Sequence, residues 1–244
     1  MVKVYVTDVS NLPDPKENLE ILNGLPEERV HKIMKYRQIK DRKHSLGAGL
    51  LLKECLKEYG INIEEIRYGE HGKPEVDGIY FNISHSYDRV VCVVGEKMVG
   101  CDIEKIANVK EGIAERFFTE NEFCYLEQFH GDKKRDEFYR LWTMKESYMK
   151  MTGEGMSLSL KRFEFEISSN VKVYRDGKKC DCNIKEYEIP GYKLTVCAQE
   201  QIFADELIEV SLDRKECNCD EKQYSDAGKS DCYDDESYGM QWTN

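Results

Sequence analysis

Val99-Gly100-Cys101-Asp102-Ile103-Glu104, VGCDIE, follows the apolar run Val90 to Val94 (VVCVV) across Gly95-Glu96-Lys97, and its reading decides the fold. Two apolar segments joined by so short a connection predict a hairpin. Side chains two apart on a strand share a face, so Asp102 and Glu104 would stand together with like charges unneutralised. Two readings are open. In the plainer one the strand ends at Ile103 and both acids face water. In the other they hold a divalent cation. Closely spaced carboxylate oxygens suit Mg²⁺, which takes one or two of them and completes its shell with waters and substrate phosphates. That reading needs a third carboxylate or a phosphate.

The chain as a whole bounds the partners. Its 244 residues and 28.5 kDa allow one large core or two small ones. A formal net charge of -11 argues against a nucleic-acid binder, whose affinity rests on Lys and Arg, so any phosphate site must be a local basic patch. No apolar run approaches the ~20 residues of a membrane span, and MVKVYVTDVS lacks the basic start and apolar stretch of a secretory signal. A cytoplasmic protein without membrane contact is expected. Reduced thiols are then expected for the ten cysteines. Cys55, Cys92, Cys101, Cys124 and Cys197 lie in apolar surroundings and read as core residues. The pairs Cys180-Asp181-Cys182 and Cys217-Asn218-Cys219 are spaced more tightly than structural zinc ligands, which argues against zinc.

Working outward, Val2 to Val9 alternates as a strand and Pro13 to Pro26 is a loop. Pro26 opens a helical stretch, PEERVHKIMKYRQIKDRKH, with Val30, Ile33 and Met34 on one face. Its cations Arg29, Lys32, Lys35, Lys40, Arg42 and Lys43 are either a solvated face or an anion site. A second helix carries Leu52, Cys55, Leu56 and Tyr59 until Gly60 stops it. Strands are expected at Ile66 to Tyr68 and Ile79 to Ile83, with Lys73 in the turn between them. Thr119-Glu120-Asn121-Glu122 has the form of a capping box. Segments Lys161 to Ile167, Val171 to Arg175, Asn183 to Ile189, Tyr192 to Ala198 and Leu207 to Leu212 alternate as strands. The reading is an α+β chain of two similar halves, 1–104 and 105–212, with the active site at their interface. The polar, acidic segment 213–244 cannot bury enough apolar surface to offset its ordering entropy and reads as a mobile tail.

The third carboxylate comes from DEFYRLWTMKESYMKMTG, between Asp136 and Gly153, where Phe138, Leu141, Trp142, Lys145, Tyr148 and Met149 follow helical spacing. Glu146, four residues after Trp142, lies about 40° round from it, at the edge of the buried stripe. Lys150 is one turn further on the same flank, whereas Lys145 points elsewhere, onto the stripe itself. Alone, Glu146 and Lys150 make an ordinary i,i+4 pair worth a few tenths of a kcal/mol.

VGCDIE, RFFTENE (Arg116 to Glu122) and LWTMKES (Leu141 to Ser147) followed by Lys150 together resemble the signature of 4'-phosphopantetheinyl transferases of the surfactin-synthetase-activating type. FNISHS (Phe81 to Ser86) and GKP (Gly72 to Pro74) stand in the same order and spacing, so the likeness covers most of residues 1–212. The resemblance implies transfer of the phosphopantetheine arm of coenzyme A to a serine of an acyl or peptidyl carrier protein, with release of 3',5'-ADP. It implies Mg²⁺ held by Asp102, Glu104 and Glu146. It assigns Lys73, Ser84 and His85 to the phosphates of the coenzyme and Lys43 toward the 3'-phosphate. His85 by itself would read as a hydrogen-bonded structural histidine. A position basic in the family is taken by Glu28, with Arg29 and Lys32 nearby. A two-half monomer serving nonribosomal-peptide, polyketide or fatty-acid carriers is expected.

For the reaction so implied, a serine hydroxyl must lose a proton as it attacks phosphorus, and the departing phosphate must be neutralised. Glu146 is the candidate base and Lys150 the candidate for the leaving oxygen. Two other activities remain open on the residues alone. A Mg²⁺-dependent pyrophosphate hydrolase would turn over without an acceptor protein, and a non-catalytic coenzyme A or nucleotide-binding module would bind without Mg²⁺.

Overall fold

The computed structural model describes residues 1–69, 74–168 and 170–212; the expected tail, 213–244, lies outside the described residues. Strand β1 (Lys3–Asp8) leads to helices α1 (Glu27–Lys35) and α2 (Ile39–Lys57), the short strands β2 (Arg67–Tyr68) and β3 (Pro74–Glu75), and the longer β4 (Tyr80–Ser86), β5 (Arg89–Gly95) and β6 (Val99–Lys105). Helices α3 (Ile113–Phe117), α4 (Glu120–Leu126) and α5 (Gly131–Thr152) follow. The remaining strands are β7 (Phe163–Glu166), β8 (Lys172–Arg175), β9 (Lys178–Lys179), β10 (Asn183–Ile189), β11 (Tyr192–Ala198) and β12 (Ile208–Glu209). The fold is α+β in two parts.

Strand β5 is apolar from Val90 to Val94 because both of its faces are covered there. Cys92 and Val94 pack with Tyr5 against Leu46, Leu50 and Leu56 of α2, while Val91 and Val93 face the second sheet. The first sheet has the order β12-β1-β5-β4 and the second β10-β11-β6. Their inner faces meet through Val4, Val6, Val91 and Val93 on one side and Val99, Cys101, Ile103, Leu194 and Val196 on the other. By strand alternation the opposite face of β6 carries Gly100, Asp102 and Glu104, and this face lies on α5.

The expected hairpin of Val90–Val94 with VGCDIE is not formed. Both edges of β5 are taken, by β1 and β4, so β6 crosses to pair antiparallel with β11, Asp102 opposite Thr195. The connection is held from the far half, where Glu200 Oε1 accepts from the N–H of Glu96 at 2.7 Å. Strand β4 still runs beside β6, but side chains join them. The N–H groups of Cys101, Ile103 and Lys105 donate to Asn82 Oδ1, Ser84 Oγ and Ser86 Oγ at 3.0, 3.3 and 3.1 Å.

The helix expected from Pro26 through His44 is also divided, with Tyr36 extended between α1 and α2. Buried Arg42 explains the break. Its Nη1 donates to the carbonyls of Tyr36 and Arg37 at 2.9 and 2.6 Å, and its Nε donates to Asp14 at 2.7 Å. A guanidinium counted among the surface cations is therefore the plug of a turn. Cys124 is exposed, because helix α4 turns Leu126 rather than Cys124 into the core. The seven described cysteines are all free thiols.

Gly100 marks the closest approach of β6 to α5. A Cβ there would lie 2.2 Å from the carbonyl oxygen of Ser147 and 2.3 Å from the amide nitrogen of Met151, both backbone atoms that cannot rotate away. Gly100→Ala is expected to cost about 3 kcal/mol or more, at or beyond the upper end for overpacked cores. Urea unfolding checks this, and a loss under about 1 kcal/mol would show that the helix and strand are free to separate.

Candidate active site

Helix α5 ends at Gly153, left-handed at φ 74°, and presents Glu146 and Lys150 one turn apart toward the outer face of β6. Thr143 fixes the helix on the sheet through a 2.9 Å hydroxyl bond to Thr195. Lys150 Nζ donates to Asp102 Oδ1 at 2.7 Å and to Ser84 Oγ at 3.0 Å. Ser84 Oγ in turn donates to Asp102 Oδ1 at 2.9 Å, and Ser86 Oγ donates to Glu104 Oε2 at 2.8 Å. The structure thus brings Ser84, Asp102, Glu104, Glu146 and Lys150 to one place, at the junction of the two halves.

The acids are under electrostatic strain. Burial, then the charge of Asp102, pushes the Glu146 carboxyl up to about 8 and that of Glu104 up to about 7. Burial also raises Asp102, opposed by Lys150. Burial alone would depress Lys150, but Asp102 and Glu146 outweigh it and hold the ammonium above its ordinary range. Two buried carboxylate oxygens, Asp102 Oδ2 and Glu146 Oε1, have no hydrogen-bond partner. Such orphans are costly unless a further group satisfies them. The donor set is all oxygen, which fits a hard cation such as Mg²⁺. Among the described residues no three carboxylate, imidazole or thiol side chains form a ready-made metal cage. Mg²⁺ does not require one, because phosphates of a bound substrate commonly complete its shell.

The cleft beside these acids has a basic wall. Arg29 and Lys32 line it from α1, and His44 and Ser45 from α2. Arg29 Nη2 donates to the Ser45 carbonyl at 2.7 Å, and burial lowers the proton affinity of both Arg29 and Lys32. His85 stacks on His44 with ring centroids 4.4 Å apart. Burial, then the neighbouring His44, drives the His85 imidazole down to about 3, so it is neutral at physiological pH.

Lys43 does not join this wall: its Nζ donates to the Ser10 carbonyl at 2.9 Å, and the α2 residues that line the cleft are Asp41, His44, Ser45 and Ala48. Lys73 lies outside the described residues. His44 was not singled out from the sequence. The signal available was the i, i+3, i+4, i+7 spacing of 41, 44, 45 and 48, which excludes position 43.

Lys145 is fully buried and turned away from the acids. Its Nζ donates to both oxygens of Glu122 at 2.7 Å and to the Phe163 carbonyl at 2.9 Å. Glu122 closes the expected capping box with Thr119 and also accepts from the Phe165 N–H at 2.9 Å.

Carboxylates and a lysine facing a cleft with a basic wall suit phosphate-ester chemistry. Residues 98–197 match the family model of the 4'-phosphopantetheinyl transferase superfamily, and residues 12–97 match that of the 4'-phosphopantetheinyl transferase N-terminal region. The chain is 33% identical over 227 residues to the 4'-phosphopantetheinyl transferase ffp of Bacillus subtilis, covering 87% of this chain and 99% of that protein. It is 31% identical over 221 residues to the 4'-phosphopantetheinyl transferase Sfp of Bacillus subtilis strain 168, again 87% of this chain and 99% of the relative. With the 4'-phosphopantetheinyl transferase gsp of Aneurinibacillus migulanus it shares 34% identity over 205 residues, 81% of this chain and 86% of that one. The chain belongs to the 4'-phosphopantetheinyl transferases. Among the described residues no helix is long and apolar enough to cross a membrane.

Proposed function

We infer that this enzyme transfers the 4'-phosphopantetheine group of coenzyme A to a serine of an apo-carrier protein, leaving 3',5'-ADP, and that it needs Mg²⁺ to do so. The observation that carries the metal part is the pair of orphaned buried oxygens on Asp102 and Glu146, beside a third carboxylate, Glu104. These three residues would hold Mg²⁺ together with the pyrophosphate of the coenzyme. When bound, the ion supplies positive charge to the phosphoryl oxygens.

The chain's own groups do the rest. Arg29, Lys32 and His44 offer donors to the phosphates and adenylate of the coenzyme, with Lys73, Ser84 and His85 assigned to the same task by the family signature. Lys150, anchored on Asp102 and Ser84, places a cation where the leaving phosphate gathers charge. Glu146, which lines the cleft one turn from Lys150, accepts the proton of the incoming serine directly or through a water. Much of the acceleration then comes from positioning the two substrates across the junction of the halves. The carriers are acyl or peptidyl carrier proteins, including those of nonribosomal-peptide and polyketide synthesis, and the enzyme acts as a cytoplasmic monomer.

The test is incubation with coenzyme A, Mg²⁺ and a panel of apo-carriers, read by intact mass. A phosphopantetheine mass gain on at least one carrier, lost when the metal is chelated, is expected. Hydrolysis of coenzyme A with no gain on any carrier would favour the hydrolase reading. Thermal unfolding gives a second readout. Mg²⁺ is expected to raise Tm in the wild type by relieving carboxylate repulsion, and not in Asp102→Asn. An equal rise in both would remove Asp102 from the metal site.

A further inference from the structure

Ser86 is the last residue of β4 and ends the FNISHS segment, two residues beyond Ser84. On β4 the residues 82, 84 and 86 share a face, and each takes one N–H of β6: Asn82 from Cys101, Ser84 from Ile103 and Ser86 from Lys105. The two serines do more than close this seam. A hydroxyl has one proton to give and lone pairs to receive, so each can accept from the strand and donate to an acid at once. Ser84 gives its proton to Asp102, where Lys150 also binds, and Ser86 gives its proton to Glu104 Oε2 at 2.8 Å.

We propose that Ser86 is a positioning residue that fixes the Glu104 carboxylate for the cation. This rests on the Mg²⁺ reading given above. Glu104 is largely buried but keeps part of its side chain open to the cleft, and a glutamate turns about three single bonds, so a hydrogen bond helps to select its rotamer. The Ser86 hydroxyl is itself oriented, because the Lys105 N–H occupies one of its lone pairs at 3.1 Å and directs the proton elsewhere. Occupying one oxygen of Glu104 leaves the other directed at the ligand position. Hydrogen bonds of this kind to a ligating carboxylate typically change metal affinity 10–100-fold when removed. Asn82 provides the internal control, since it makes the same kind of seam bond at 3.0 Å but hydrogen-bonds to neither acid of β6.

The experiment is a titration of the full chain, saturated with coenzyme A, with Mn²⁺ as the probe ion, read by loss of the free-ion paramagnetic resonance signal. Ser86→Ala is expected to weaken binding about tenfold. Ser86→Thr, which keeps the hydroxyl, is expected to restore it. Asn82→Ala should stay within about twofold of the wild type while losing Tm to a degree similar to Ser86→Ala. Unchanged affinity in Ser86→Ala overturns the proposal, as does an equal loss in Asn82→Ala, which would make the seam and not the carboxylate the cause. A wild type that takes up no ion at all overturns the Mg²⁺ reading and this proposal with it, whereas normal uptake by both wild type and Ser86→Ala sinks the positioning role alone.

Discussion

Glu122→Ala is expected to lose about 3–5 kcal/mol of stability, the range for breaking one side of a buried ion pair. The substitution leaves the Lys145 ammonium, fully buried, with only the Phe163 carbonyl of its three acceptor atoms. It also strips an acceptor from the Phe165 N–H and opens the cap of α4. For a chain of this size the loss corresponds to a Tm lower by on the order of 10 °C. The sign of the pH dependence is a further check. Burial already holds Lys145 below its ordinary range with Glu122 present, and the variant lacks that opposing charge. The unfolded variant therefore binds a proton that the folded variant gives up, so its stability should recover as pH rises toward the ordinary lysine range. Wild type and variant are compared by urea unfolding at pH 7.5 and at roughly pH 9.5. A loss below about 1 kcal/mol, or the same deficit at both pH values, would mean that Lys145 reaches water or another partner.

Lys150→Ala is expected to lower the single-turnover transfer rate by about 10²–10³-fold while changing coenzyme A affinity only a few-fold. The rate range is that of removing one preorganised charge-stabilising donor, and a loss seen in rate but not in binding marks an interaction strongest in the transition state. Lys145→Ala should instead act through folding, since Lys145 touches Glu122 and Phe163 and no acid of the cleft through its hydrogen bonds. Quench-flow transfer and coenzyme A binding, measured on both variants below their unfolding temperatures, separate the cases. If Lys150→Ala weakens binding alone, Lys150 is a phosphate anchor. If both lysines lose rate equally after correction for unfolded protein, their different placement on α5 has no catalytic meaning.

What could be read from the sequence was whatever local periodicity encodes. Asp102 and Glu104 share the α5-facing side of β6 because the strand period is two, and Glu146 meets them with Lys150 because the helical period brings i and i+4 to one flank. Strands β10 and β11 also fall at the expected residues, Asn183–Ile189 and Tyr192–Ala198. The misread parts are those decided by distant partners. Val90–Val94 and VGCDIE do look like a hairpin locally, but β1 and β4 already fill both edges of β5. The break at Tyr36 depends on Asp14, 28 residues before Arg42. Lys43, which the family resemblance assigns toward the 3'-phosphate, and His44 are one residue apart, about 100° on a helix, and it is His44 that lines the cleft while Lys43 bonds the Ser10 carbonyl. The Glu122–Lys145 pair spans 23 residues and shows in the sequence only as half of a capping box.

The chain passes between the two sheets more than once. It crosses at Glu96–Met98, and after β11 it returns, where Val2 bridges Phe203 and β12 lies parallel to β1 with Tyr5 opposite Ile208. The Met1 ammonium is clamped on Glu200 at 2.7 Å, next to the first crossing. Neither sheet can therefore be lost without stripping strands or anchors from the other. The connection between β5 and β6 is therefore no seam for melting. Calorimetry should record one transition whose measured enthalpy equals its van't Hoff enthalpy, as for a single cooperative unit, and two resolved peaks would mean that the clasp does not couple the halves.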